Sequence, residues 1–459
     1  MASLLITILF ITFSVLLIND PRKYFSLILS VIYFVLPKEA CMIAELKPNI
    51  LILIVMLGMI VSKDKIRTLG EIKFGFIILF YFVSSAILSL FALDEISYIH
   101  QISFLIKKTV EMFLLGVISV AFFVHCSDFF RFARTFYIIV LIGSVYGILT
   151  YLISANPFMT FVSTSFRDGI LNGTDFFMNE IRGVLHGRVS GFANHPLTWG
   201  QLHLLFVIVL PFFKRYLSRK LFIGSMFFSS INIVLTGSRS SLVPLLFFII
   251  GYFMIENRKH FMRILFFSGI AFIVFLVLSL FIHNEYIDMA RAYICFWDES
   301  ASDKISVSGS SVSMREEQLD NALYFVGQKN LLVGFGYGFV SNMSDDHFLR
   351  EYLLGFESVI LKVVVEQGIL GLFFYLLLFL FLCLKVMQYR HNFRDNLYVP
   401  LMFVCYFSSL VFTGERCTFQ MFFLFLVLIV LEKKIRSVDL LLLLKIKAIN
   451  LSKTVTTEK

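Results

Sequence analysis

Charge is scarce in this chain. Of its 459 residues, 15% are Asp, Glu, Lys or Arg and 58% are hydrophobic, whereas soluble domains run to roughly a quarter charged and half apolar. An ordinary soluble fold is excluded. Patterned cysteine is missing too. The six cysteines, at 41, 126, 295, 383, 405 and 417, form no CxxC and no metal-ligand spacing, so they read as packing residues. The N-terminal MASLLITILF lacks the basic stretch of a cleaved signal and reads as a retained first span. No internal repeat marks a transporter built from two similar halves. Gly334, Gly336 and Gly338 alternate, but no GKS or GKT follows them, which argues against a nucleotide-binding loop.

What the chain has instead is apolar runs from end to end, the mark of an all-α, polytopic transmembrane bundle. Spans are predicted at about 3–18, 24–36, 48–61, 74–93, 109–126, 137–154, 197–213, 221–236, 241–256, 264–283, 357–384, 397–413 and 417–431, with a total of 11 to 13. The net charge of +9 does not point to nucleic acid. Lys and Arg fall in short runs at 22–23, 63–67, 131–134, 214–220, 258–263, 385–394 and 433–436, and threading the spans puts all of them on one side, as cytoplasmic anchoring requires. Lys107 and Lys108 are the main short-loop exceptions. The chain then divides into N-terminal helices (1–154), a first long extracytoplasmic loop (155–196), central helices (197–283), a second long loop (284–356), C-terminal helices (357–431) and a cytoplasmic tail (432–459). In the second loop, Ser-rich 300–313 reads as flexible, and MREEQLDNALYFV reads as an amphipathic helix with Leu319, Leu323 and Val326 on one face. The stretch 439–449 reads as a short interfacial helix.

Polar residues that topology does not explain collect on the face opposite the basic runs. Arg188 to His195 (RVSGFANH) sits where the chain re-enters the membrane, and Pro196 opens a helix, which is also how a plain helix start would look. TGSRSSL at 236–242 joins two apolar helices by a short turn. Its Arg239 lies where positive charge is disfavoured, and it offers a planar fork of donors suited to phosphate oxygens beside a helix N-terminus. Asp345, Asp346 and His347 precede the long helix that begins at Glu357 and carries Lys362, Glu366, Gly368 and Gly371. Lys362 and Glu366 are four apart and share a face. Glu357 and Glu366 lie about 13.5 Å apart along the axis on roughly opposite sides, too far for a catalytic dyad. Gly368 and Gly371 are expected to allow close helix packing.

The order Arg188-Val-Ser-Gly191, Asn194-His195-Pro196, Thr236-Gly-Ser-Arg239, Arg315, Gly334-Phe-Gly336 and Glu357-Ser358, with Gly368-Ile-Leu-Gly371 following, resembles the O-antigen polymerase and O-antigen ligase superfamily. The motifs run from about 185 to 375. The ligase branch usually begins the last motif with His, so the acidic Glu357 resembles the polymerases of O-antigen, capsule or exopolysaccharide repeat units. The resemblance implies a glycosyltransferase of the bacterial cytoplasmic membrane, with its site facing the exterior. Such an enzyme transfers a growing glycan from a polyprenyl diphosphate carrier to a new lipid-linked unit. Arg188 and Arg239 would then hold the diphosphate, with Arg315 and Arg416 in reserve and His195 a further substrate contact. Glu357 would orient or deprotonate the acceptor hydroxyl, with His347 and Asp346 second choices. No cofactor and no metal is expected. The expected partners are polyprenyl-diphosphate-linked oligosaccharides and membrane lipid, a chain-length regulator protein is left open, and nucleic acid is not among them. Two alternatives also stay open, a ligase-type transfer to another acceptor and a flippase or transporter of lipid-linked oligosaccharide.

Overall fold

The computed structural model describes residues 2–35, 74–92, 96–120, 122–123, 125–166, 181–182, 185–193, 195–256, parts of 263–281, 312–327, 330–343, 358–390, 393–412 and 418–436. The helices are α1 (Ala2–Asn19), α2 (Pro21–Ser30, continuing as a π-helical stretch Val31–Val35), α3 (Phe74–Leu90), α4 (Tyr98–Ser119), α5 (Cys126–Leu152), α6 (Pro157–Phe166), α7 (Pro196–Phe213), α8 (Arg219–Leu235), α9 (Arg239–Glu256), α10 (Val312–Gly327), α11 (Phe339–Met343), α12 (Val359–Gln388), α13 (Phe393–Phe412) and α14 (418–436). A two-residue antiparallel hairpin pairs β1 (Ile181–Arg182) with β2 (Leu185–His186). The protein is a helical membrane protein, and among the described residues four helices are long and apolar enough to cross a bilayer: α5, α7 with the short turn after it, α9 and α12. Every expected span holds helix except 48–61, which lies outside the described residues, as does 439–449.

Helix α7 is the axis of the bundle. It packs against α8, α9 and α13, and 83% of its apolar stretch is buried. A helix that is apolar on every side has no face for water and little for lipid, so it takes the middle. Residues 418–431 of α14 are likewise buried almost throughout. The peripheral helices show one buried and one exposed apolar face, as in α9, where Leu245 and Phe248 are buried and Leu246 and Phe247 exposed.

Among the described residues, basic runs meet at one end of the bundle, joined by acids, while 63–67 and most of 258–263 lie outside the described residues. Lys214 pairs with Glu256 at 2.9 Å, Arg215 and Arg390 both pair with Glu432 at 3.1 and 3.3 Å, and Arg390 also pairs with Asp395 at 3.2 Å. The ring of Phe129, at the start of α5, lies 6.4 Å from that of Tyr216, which brings the 131–134 run to the same end. The shared side deduced from loop charge is therefore also a shared location.

Helices α4 and α10 depart from expectation. Helix α4 begins at Tyr98, so Lys107 and Lys108 lie within a helix and not in a loop. Lys108 pairs there with Glu111 one turn on, at 2.7 Å. The two charges had masked the helical pattern. In α10 the buried residues are Gln318, Ala322, Phe325 and Val326, while Leu319 and Leu323 are exposed. The predicted apolar face is thus split between protein and surroundings.

Buried polar groups between α5, α7 and α8 fix how these helices meet. Trp199 Nε1 donates to Asn232 Oδ1 at 2.9 Å, and Asn232 Nδ2 donates to the carbonyls of Ser144 at 2.8 Å and Phe228 at 2.9 Å. The helices approach so closely that a Cβ on Gly147 would stand 2.1 Å from Asn232 Oδ1. Asn232→Leu leaves the Trp199 indole N–H buried without an acceptor. It is expected to cost about 1–3 kcal/mol, read as a lower unfolding midpoint of the purified protein in micelles.

Candidate functional site

The end opposite the ion pairs gathers the sequence motifs. Helix α8 stops at Leu235, and a helix end leaves its last carbonyls without intrahelical partners. Here the chain at 188–189 supplies them: Val189 N donates to Leu235 O at 3.0 Å and Arg188 Nε to Thr236 O at 2.8 Å. The first and second motifs are therefore one structural unit. Arg188 is only 2% exposed, which makes it a residue that fixes the turn as well as a cation beside it. Arg239, at the first position of α9, is only partly buried and is the more accessible of the two.

The turn itself is closed by its hydroxyls. Ser238 N donates to Thr236 Oγ1 at 3.2 Å, and the Ser238 and Ser240 hydroxyls are 2.8 Å apart. The N–H groups of Ser241 and Leu242 turn back to Ser238 O, starting α9. The first turn of α7 abuts this unit, because a Cβ on Gly200 would lie 3.0 Å from both Thr236 Oγ1 and Ser241 Oγ. His195 caps α7, its Nδ1 accepting from Leu197 N at 3.0 Å, with Pro196 at the first helical position. In the neutral ring this puts the proton on Nε2. The first role of His195 is to start the helix.

Two residues the sequence reading passed over hold the 188–191 segment. Asn156 Nδ2 donates to Ser190 Oγ at 3.2 Å and to Gly191 O at 2.8 Å, while Tyr146 OH donates to Asn156 Oδ1 at 2.8 Å. Gly191 lies directly on the Trp199 ring, where a Cβ would come within 2.3 Å of the indole. The Asn156-Pro157 dipeptide after an apolar run is a turn signal that could have marked the site.

The third motif forms a different kind of joint. Helix α12 starts at Val359, with Ser358 as its cap through Oγ accepting from Leu361 N at 3.3 Å. It is not one continuous helix from 357, since Gly368 takes φ +64°, ψ −164° and breaks it. An unbroken helix would bond Ile369 N to Val365 O and Leu370 N to Glu366 O. Instead Phe335 N donates to Val365 O at 3.0 Å and Gly336 N to Glu366 O at 2.8 Å. In return Ile369 N donates to Leu331 O at 3.0 Å and Leu370 N to Leu332 O at 3.1 Å. The 330–336 strand of chain is threaded into the helix, and Gly334 and Gly368 meet backbone to backbone. A Cβ on Gly368 would lie 2.3 Å from Leu332 C, and one on Gly334 would lie 2.6 Å from Val365 O. The expectation that Gly368 serves close packing between helices is corrected to close packing of a loop into a break. Gly371 faces Gln367 of its own helix, 2.1 Å from where its Cβ would be.

Gln101 of α4, fully buried, completes the joint. Its Nε2 donates to Ala92 O and Ile96 O at 2.7 and 2.9 Å, and its Oε1 accepts from Tyr337 N at 3.2 Å. The glycine-rich stretch is thus a docking element. Within the broken helix Glu366 is buried and Lys362 partly so.

Of the sequence-selected residues, the structure brings Arg188, Arg239 and the start of α7 with His195 into one unit. Glu357, His347, Asp346, Asp345 and Arg416 lie outside the described residues. So does the side chain of Arg315, whose backbone is in the first turn of α10.

Residues 224–376 match the family model described as O-antigen ligase (Wzy_C). That third of the chain takes in most of α8, the 236–240 turn, α9, α10, the glycine-rich stretch and the break in α12, and the match is consistent with the O-antigen ligase and polymerase superfamily. A search of curated proteins finds none that matches the chain.

Proposed function

We propose that this chain polymerises polyprenyl-diphosphate-linked oligosaccharide repeat units of O-antigen, capsule or exopolysaccharide. It would work at the outer face of the bacterial cytoplasmic membrane. The observation that carries the reading is the separation of charge along the bundle. The paired basic residues sit with their counter-acids at one end, while Arg188 and the Thr236–Arg239 turn are built into one unit at the other. The family match covers that turn and the joint at Gly368.

In this reading the acceptor hydroxyl of a lipid-linked unit attacks the anomeric carbon of the growing glycan. The new glycosidic C–O bond forms as the bond to the carrier's diphosphate breaks. The hydroxyl proton passes to Glu357, with Asp346 or His347 as second choice, and the negative charge leaves on polyprenyl diphosphate. No oxidation state changes, and the donor brings its own leaving group. Arg239 stabilises the developing diphosphate charge, with Arg188 orienting the turn from beneath and Arg315 and Arg416 as further cations. Guanidinium forks suit the oxygens of a diphosphate better than ammonium groups do. The matched family, O-antigen ligase, favours a second reading, transfer to a different acceptor as a ligase. The two differ in which acceptor becomes glycosylated.

Reconstituted with a lipid-linked repeat unit, the unmodified protein is expected to make a ladder of chain lengths. Arg239→Ala and Glu357→Ala should yield folded, membrane-inserted protein that leaves the unit as a single repeat. A normal chain-length distribution in both variants would sink the site assignment. Transfer only to a supplied non-repeat acceptor would select the ligase reading.

A further inference from the structure

We infer that helix α10 and residues 330–340 form a unit seated in the acyl–headgroup boundary of the bilayer, with Leu319, Leu323, Leu331 and Leu332 as its lipid contacts. The depth argument comes from α12. Its 30 residues would rise about 45 Å as one helix, against a hydrocarbon core of ~30 Å. The break at Gly368 resolves the excess, because residues 369–388 alone rise about 30 Å. Gly368 then lies at the edge of the hydrocarbon, and 359–367 stand above it.

Leu331 and Leu332 are held at that edge by the bonds from Ile369 N and Leu370 N to their carbonyls. Their side chains are exposed, as are those of Ile369, Leu370 and Phe373, so the loop continues the apolar surface of the span. Helix α10 is anchored to the same place through Ala322, Phe325 and Val326, which pack with Phe335 and Val365.

At about 100° per residue, α10 has three faces. Gln318, Ala322, Phe325 and Val326 face the protein. Glu316, Glu317 and Asp320 are exposed and fall on roughly the opposite side. Leu319 and Leu323, also exposed, form a flank between the two. A helix that gives one face to protein, one apolar flank to lipid and an acidic face to water is suited to lie along a membrane surface. The occupant of the leucine surface is therefore lipid and not a protein partner. This inference does not rest on the catalytic reading, since α10 would lie in the boundary whatever the chain transfers.

The test uses the full chain in vesicles whose acyl chains carry bromine, a short-range quencher of tryptophan. Leu323→Trp and Leu331→Trp each add emission over the parent's Trp199 and Trp297, and Glu317→Trp serves as the water-facing control. Because all three positions are on the surface, folding is checked simply by unchanged monodisperse elution. The two leucine-site tryptophans are expected to lose most of their added emission in brominated vesicles, and the control to lose little. Quenching at Leu323→Trp or Leu331→Trp no greater than at Glu317→Trp overturns the inference.

Discussion

Gly368→Ala is expected to expel residues 330–338 from α12. The native φ of +64° with ψ of −164° lies in a region that is essentially glycine-only, and the new Cβ would be driven to 2.3 Å from the Leu332 carbonyl carbon and 2.4 Å from its oxygen. Neither neighbour is the tip of a flexible side chain, so the backbone must part. The chain has a ready alternative, because a helical residue 368 restores the bonds from Ile369 N to Val365 O and Leu370 N to Glu366 O. Alanine also favours helix over glycine by about 1 kcal/mol. Four cross-bonds at a net ~0.5–1.5 kcal/mol each are lost from the joint. Two are regained inside the helix, and the strain of a non-glycine residue at that geometry adds ~1–3 kcal/mol. These terms leave the straight helix ahead by about 1 kcal/mol, and the clash of the new Cβ with the Leu332 backbone, which only the bent form suffers, adds to that margin. Proteolysis and amide exchange should then report new exposure at 330–338, with α7 and α14 still protected, and glycan chain growth should fail. Native protection at 330–338 in the variant would show that the break does not depend on glycine.

The joint also shows where sequence reading stops. Apolar length revealed the helices, and Pro196 marked the start of α7 correctly, because both signals are local. Gly368 and Gly334 are 34 positions apart, and nothing in either neighbourhood says that they touch. Isolated glycines in an apolar run read as helix-packing surface because that is the usual reason for them in membranes. The pattern of α10 was read as a single apolar face. A helix that packs on protein and borders lipid has two apolar faces side by side, and spacing alone does not divide them. Arg188 was legible as an unexplained cation, but its bond to Thr236 O joins residues 48 apart and is visible only once the turn is folded. Gln101 and Asn156 gave weak signals, single polar residues near the ends of apolar runs whose partners lie far along the chain. Loop charge put the runs at 131–134, 214–220 and 385–394 on one side, and the described residues gather them at one end. It did not show that Glu256, Asp395 and Glu432, few among many apolar residues, would be drawn to them.

Those acids carry the second large effect. Glu432 is buried, its side chain 3% exposed, and it receives Tyr216 OH at 2.7 Å, Arg215 at 3.1 Å and Arg390 at 3.3 Å. Arg390 is as deeply placed, also bonded to Ile429 O at 2.9 Å and set 5.5 Å over the Phe212 ring. Removing one partner of a buried ion pair leaves the other desolvated and costs ~3–5 kcal/mol. Since Arg390 keeps Asp395, Glu432→Ala is expected at the lower end, about 3 kcal/mol, read as a fall in the unfolding midpoint in micelles. Glu256→Ala, whose partners Lys214 and Arg394 are half or more exposed, should cost less than about 1 kcal/mol. A double-mutant cycle separates the two cations on Glu432. Coupling to Arg390 should exceed coupling to Arg215, whose side chain is 35% exposed and so screened by water. Equal couplings would mean that water reaches Arg390, and the inner joint between α7, α12 and α14 would then be looser than its packing shows. Unequal couplings would mean that the charges which set the orientation of the helices also lock their ends together.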